Sequence, residues 1–175
     1  MNLMDILTQQ LNGGALSQIS QQVGIDENAA STAISSIAPM LISALAKKSS
    51  QPEQAEILHQ KIADEQDDVL DHVLGNRQNM IQQGLAQQTG LNADAVGGLM
   101  SALAPMLIHA ISQQQKKQGL DAGGLSSFLN NQSGLIQAAA PAVMGMLFDM
   151  LDANDDGNIM DDIGRIAGKL FGGKS

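Results

Sequence analysis

The chain has 175 residues, a formal charge of −9 and no Trp, Tyr or Cys, so its apolar content is aliphatic apart from three Phe and ten Met. The acidity argues against a nucleic-acid partner, which needs a basic face, and the scarcity of aromatics argues against stacking on single strands. Without Cys there are no disulfides, no thiolate metal sites and no Cys nucleophile.

From the N-terminus, Met1-Asn2-Leu3-Met4-Asp5 has neither a basic start nor a long apolar run, so no signal peptide is expected. A helix is expected over 2–11. Residues 19–45 then read as a short helix, a turn and a long helix. Gly24 suits the residue just past a helix end, and Asp26 suits the N-cap of the next helix. In the long helix Ala30, Ala33, Ile34, Ile37, Leu41, Ala44 and Leu45 keep helical spacing, and Lys47-Lys48 follow near the end, where cations favour the macrodipole. Pro39 falls inside this pattern, so either the helix kinks or a second helix starts there. After the polar connector Ser49-Ser50-Gln51-Pro52, further helices are expected over 52–63 and 65–74.

Residues 85–111 repeat 19–45 at an offset of 66, the distance from Gly24 to Gly90. Gln21-Gln22-Gly24 recurs as Gln87-Gln88-Gly90, Asp26 as Asn92, and Ala38-Pro39-Met40-Leu41-Ile42 as Ala104-Pro105-Met106-Leu107-Ile108. The counterpart apolar positions are Val96, Leu99, Met100, Leu103, Leu107, Ala110 and Ile111, and Lys116-Lys117 follow. A fainter echo, Ala140-Pro141-Ala142-Val143, stands later. Beyond the connector 113–119, helices are expected over 121–130, 134–151 and 160–171. No segment shows sustained strand alternation.

The expected fold is therefore all-α: a multi-helix domain of internally duplicated helix-turn-helix units with a C-terminal EF-hand-like helix-loop-helix. The segments are 1–75, 76–131 and 132–175, within one compact domain. The apolar stretches around Pro39, Pro105 and Pro141 look nearer a dozen residues than the roughly 20 needed to cross a bilayer, so no transmembrane segment is expected. The default location is cytoplasmic, with export by a route lacking an obvious signal as the alternative.

The most pointed chemistry is at 152–162, Asp-Ala-Asn-Asp-Asp-Gly-Asn-Ile-Met-Asp-Asp. Asp152, Asn154 and Asp156 supply alternating side-chain oxygens, Gly157 allows the sharp turn, Asn158 offers a backbone carbonyl and Ile159 an apolar anchor. This is the opening half of a calcium loop. The far end departs from the EF-hand pattern, because Ile163 stands where a bidentate Glu belongs and Asp161 and Asp162 come early. Six of the eighteen acids lie between Asp149 and Asp162 with no base before Arg165, a crowding that a cation would relieve. The alternative is an Asp/Asn/Gly turn with helix caps and no metal. A second acidic group, Asp64, Glu65, Asp67, Asp68 and Asp71 with His72, places Asp68 and His72 one helical turn apart, but reads more simply as a solvated helix face. His59, His72 and His109 are scattered; no His-Glu-x-x-His, P-loop or Gly-x-Ser-x-Gly is present, and the doublets Gly97-Gly98 and Gly123-Gly124 carry no phosphate motif. The terminal stretch from Ile163, with Arg165, Lys169, Lys174, Ile166, Leu170 and Phe171, closes the loop or forms a small basic amphipathic helix.

The Gln-Gln-x-Gly starts, the paired Ala-Pro-Met-Leu helices and the tail Leu-Asp-x-Asn-x-Asp-Gly-x-Ile-x-Asp-Asp-Ile-Gly together resemble an uncharacterised bacterial family, the domain-of-unknown-function family 937. That resemblance implies an all-helical bacterial protein and assigns no activity. The expected role is a structural or interaction module, not an enzyme, holding calcium through Asp152, Asn154, Asp156, Asn158, Asp161 and Asp162, with an unknown protein or a second copy as partner. The alternatives are a calcium sensor exposing Met40, Met106, Met144 and Met146, and an enzyme of unknown type.

Overall fold

A computed structural model describes residues 2–139, all within the compact unit Met1–Pro141. Among the described residues there is no strand, and the fold is all-α. The helices are α1 (Leu3–Gln10), α2 (Leu16–Val23), α3 (Glu27–Ser49), α4 (Pro52–Ala63), α5 (Val69–Leu74), α6 (Gln78–Thr89), α7 (Ala93–Gln118) and α8 (Ala122–Ala139). A π-helical turn, Leu11–Ala15, joins α1 to α2, and a 3-10 turn, Gly75–Arg77, joins α5 to α6.

Local chemistry sets the two long helices. Oδ1 of Asp26 accepts from the amide of Ala29 at 2.9 Å, and Oδ1 of Asn92 from that of Ala95 at 2.7 Å, each satisfying an orphan donor of the first turn. Gly24 and Gly90 end the preceding helices with φ of 78° and 73°, left-handed values that favour glycine. All fourteen apolar positions expected to face the core in α3 and α7 are buried. The stretch Met40–Ala46 is buried at every position, so this half of α3 is enclosed on all sides. Each fully buried Leu or Ile contributes about 1.5–3 kcal/mol relative to exposure.

Neither proline ends its helix: α3 runs through Pro39 and α7 through Pro105. The carbonyls that lose their partner belong to Ser35 and Ser101, and both serines are exposed. Water can satisfy those oxygens, which lowers the usual cost of an internal proline.

Three expected elements differ. The helix placed at 65–74 begins only at Val69, because α4 closes with Glu65 at φ 51° and the amide of Gln66 donating to the carbonyl of Lys61 at 3.0 Å. The two helices placed at 121–130 and from 134 are one, α8, which also runs across the segment boundary drawn at 131–132. The polar Gln132 and Ser133, which read as a break, are buried and bonded: Oε1 of Gln132 accepts from the amide of Leu3 at 2.8 Å, and the Ser133 hydroxyl lies 3.3 Å from that of Ser43. Finally, the connector read at 113–119 is the end of α7, and the apolar stretches around Pro39 and Pro105, read as about a dozen residues, lie in helices of 23 and 26 residues that are long and apolar enough to cross a bilayer; 67% and 61% of their most apolar windows are buried within the fold.

The duplication extends further than its obvious motif. At the same offset, α5 is the counterpart of α1: Leu3 and Leu7 correspond to Val69 and Val73, all four buried. The packing is reciprocal. In the first copy α1, α2 and α4 rest on α7 of the second; in the second copy α5, α6 and α8 rest on α3 of the first. The pairs α3 with α7 and α4 with α8 complete the core. At one crossing, a Cβ on Gly98 of α7 would lie 3.0 Å from Cγ2 of Val23 of α2, so the glycine permits the approach.

Candidate functional site

The residues of the expected calcium loop, Asp152, Asn154, Asp156, Asn158, Asp161 and Asp162, lie outside the described residues, as do Met144, Met146 and the terminal stretch from Ile163. The chemistry within the described residues centres on the acidic segment 64–72, the turn after α4 and the first residues of α5.

Here the helix ends pull the acids apart. Asp68 precedes α5 and turns back to α4, where its Oδ2 lies 2.6 Å from Nζ of Lys61. His72 faces the other way, with Nε2 2.9 Å from Oε1 of Gln54, an arrangement that places the proton on Nε2. Asp68 and His72 therefore have separate partners and do not converge on a common ligand. Glu65 reaches across to α7: its Oε2 lies 3.0 Å from Nδ1 of His109 and its Oε1 3.5 Å from Nζ of Lys116. Among the described residues no group of three or more His, Asp or Glu is arranged to hold a metal ion.

The electrostatics follow from these partners. The hydrogen bond from His109 is the main cause that holds the Glu65 carboxyl below its ordinary value. The Lys61 ammonium does the same for Asp68. Partial burial lowers His72, and the nearby Lys48 and Lys61 charges add to that against the weaker pull of Asp68. Each is a group adjusted by two or three neighbours near the surface. His59 is a bracket between α4 and the end of α7: its Nε2 meets the carbonyl of Leu120 at 2.9 Å and its own carbonyl accepts from Nε2 of Gln115 at 3.2 Å. The buried Ser112 hydroxyl also helps to hold the Glu65 carboxyl down, and the buried Oε1 of Gln115 has no hydrogen-bond partner.

The sequence reading placed Glu65 in the acidic group but missed its left-handed turn and its partners on α7. The left-handed ends of α2, α6 and α7 are glycines, Gly24, Gly90 and Gly119, whereas α4 has a glutamate in that conformation. No glycine or proline marks the break. The methionines named for a sensor surface divide: Met40 is buried in the core and Met106 is half-buried.

The family model described as "Bacterial protein of unknown function (DUF937)" matches residues 5–69 and 63–114. The chain belongs to this family. In this DUF937 protein the two matched stretches meet at 63–69, the segment holding the turn between α4 and α5. No curated protein and no solved structure matches the chain.

Proposed function

We propose that this DUF937 protein is a non-enzymatic structural or interaction module whose acidic C-terminal loop holds a calcium ion. The observation that carries the reading is the spacing Asp152, Asn154, Asp156, Gly157, Asn158, Ile159. The donors are all oxygen, which suits a hard cation such as calcium and not zinc or copper. Asp152, Asn154 and Asp156 would bind through side chains and Asn158 through its carbonyl, with Asp161 or Asp162 closing the loop. Bound calcium supplies positive charge that offsets the crowded carboxylates, and binding only to the folded form stabilises it by mass action, by about 2.7 kcal/mol at a hundred times the dissociation constant. The partner in this reading is another protein or a second copy.

The test is a calorimetric titration of chelator-treated protein with calcium, run beside Asp152→Ala and Asp156→Ala. One saturable site, lost in both variants and matched by a rise in melting temperature, supports the reading. No heat and no melting shift up to millimolar calcium overturns it. Asp161→Ala and Asp162→Ala in the same assay identify the closing carboxylate by the larger loss.

A further inference from the structure

We infer that this protein exchanges halves between copies: residues up to α4 of one chain pack with residues from α5 onward of another, with 64–68 as the hinge. Three independent observations converge on that segment. The first is the reciprocal packing, in which α1, α2 and α4 rest on α7 while α5, α6 and α8 rest on α3. Every one of these contacts between halves is available equally from the other half of the same chain or from that of a neighbour. An exchanged dimer keeps them all and adds a two-fold axis, the symmetry of a self-complementary interface.

The second is strain at the hinge. The closed chain needs Glu65 at φ 51°, a conformation that costs an L-residue free energy and that the three comparable helix ends entrust to glycine. Short connections under strain favour exchange, because opening relieves the strain once in each chain. The third is a conflict between local sequence and closed fold. Residues 64–68, Asp-Glu-Gln-Asp-Asp, contain no Gly or Pro, and the pattern reads as helix from 65 to 74. In the opened chain α4 continues through the hinge into α5 as one helix over 52–74. That separates the halves and obliges each to find its complement in a second copy. The two family matches also meet at 63–69, so each half corresponds to about one matched unit.

Opposing exchange are the contacts that fasten the turn: the ion pairs of Lys61 with Asp68 and of Lys116 with Glu65, and the hydrogen bond between His109 and Glu65. They lie at the surface, where such pairs contribute little. The closed monomer keeps the advantage of dilution, so concentration sets the balance.

The test uses the full chain, unfolded and refolded at micromolar and at millimolar concentration, with mass measured by light scattering after size exclusion. The expected result is a dimer whose share rises with refolding concentration and which, once isolated, survives dilution for hours, because return requires opening the core. Glu65→Gly removes the strain of the closed turn and should weaken dimerisation by about tenfold or more. Deleting Glu65, Gln66 and Asp67 together forbids the closed turn and should yield only dimer, which distinguishes exchange from general misfolding. Monomer at every refolding concentration, a dimer that dissociates within minutes of dilution, or an unchanged dimer share in Glu65→Gly would each overturn the inference.

Discussion

Substituting Gly98 by Ala sets two effects of known size against each other. Within a helix, Gly→Ala favours the folded state by about 0.8–1 kcal/mol through propensity. The added Cβ, however, would lie 3.0 Å from Cγ2 and 3.5 Å from Cγ1 of Val23. A β-branched side chain has little rotamer freedom with which to yield. Overpacking of this kind costs about 1–3 kcal/mol. The expected net effect is a destabilisation of about 1 kcal/mol, or a melting temperature lower by about 2–4 °C. Val23→Ala removes the obstruction, so the same Gly98→Ala change in that background should stabilise by about 1 kcal/mol. The coupling between the two sites is then about 2 kcal/mol, well above the additive limit for independent positions. Urea unfolding of the four proteins, followed by far-ultraviolet circular dichroism because the chain has no Trp or Tyr, measures it. If Gly98→Ala has the same effect with and without Val23, then α2 does not cross α7 at this point and the reciprocal packing of the two copies is wrong.

Two further outcomes follow from the turns and the charges. Gly24→Ala and Gly90→Ala have open space around the new Cβ, so their cost is backbone conformation alone: about 1 kcal/mol each after the gain from a stiffer unfolded chain, similar at both positions and additive in the double variant; stabilisation by either in a denaturant titration would refute the left-handed assignment. His72 has its pKa lowered in the folded protein, so the unfolded chain takes up the proton first. Stability should therefore fall as pH drops through the ordinary value of 6.5 toward the folded one, and His72→Gln should flatten the dependence of melting temperature between neutral and mildly acidic pH. Glu65 and Asp68, both lowered, contribute above their ordinary values of 4.5 and 3.8 and lose that contribution only as pH falls through their folded values, well below the His72 window.

The long helices were legible because burial imposes a period. Fourteen apolar positions at helical spacing, two N-caps and the glycines that end the preceding helices mark α3 and most of α7, whereas the polar end of α7, 113–118, reads as a connector. The relation of α1 to α5 was legible in principle: Leu3-Met4-Asp5-Ile6-Leu7 and Val69-Leu70-Asp71-His72-Val73 share their buried positions and one Asp, but eight- and six-residue helices carry too few turns for periodicity to announce itself. The break at 64–68 was hidden because its residues are compatible with helix and neither Gly nor Pro marks the left-handed position at Glu65. The continuity of α8 was hidden for the converse reason. Gln132 and Ser133 look like loop residues until Leu3 and Ser43 supply their partners from distant parts of the chain. In the acidic stretch at 152–162 the donor spacing can be read from sequence, whereas binding of calcium there is what the titration decides.

Because each copy rests on the other, synthesis order matters to this fold. Helix α1, with Leu3 and Leu7 buried, rests on α7, and its first amide is satisfied by Gln132, 129 residues downstream. At about 5–20 residues per second, the 66 residues separating the copies take roughly 3–13 s to translate. For that interval the first copy has left the ribosome with apolar helices uncovered, long after local helix formation is over. Neighbouring nascent chains on one message present the same surfaces at the same time. The window in which a holdase or a neighbouring chain can compete for those helices is therefore written into the distance between the repeats.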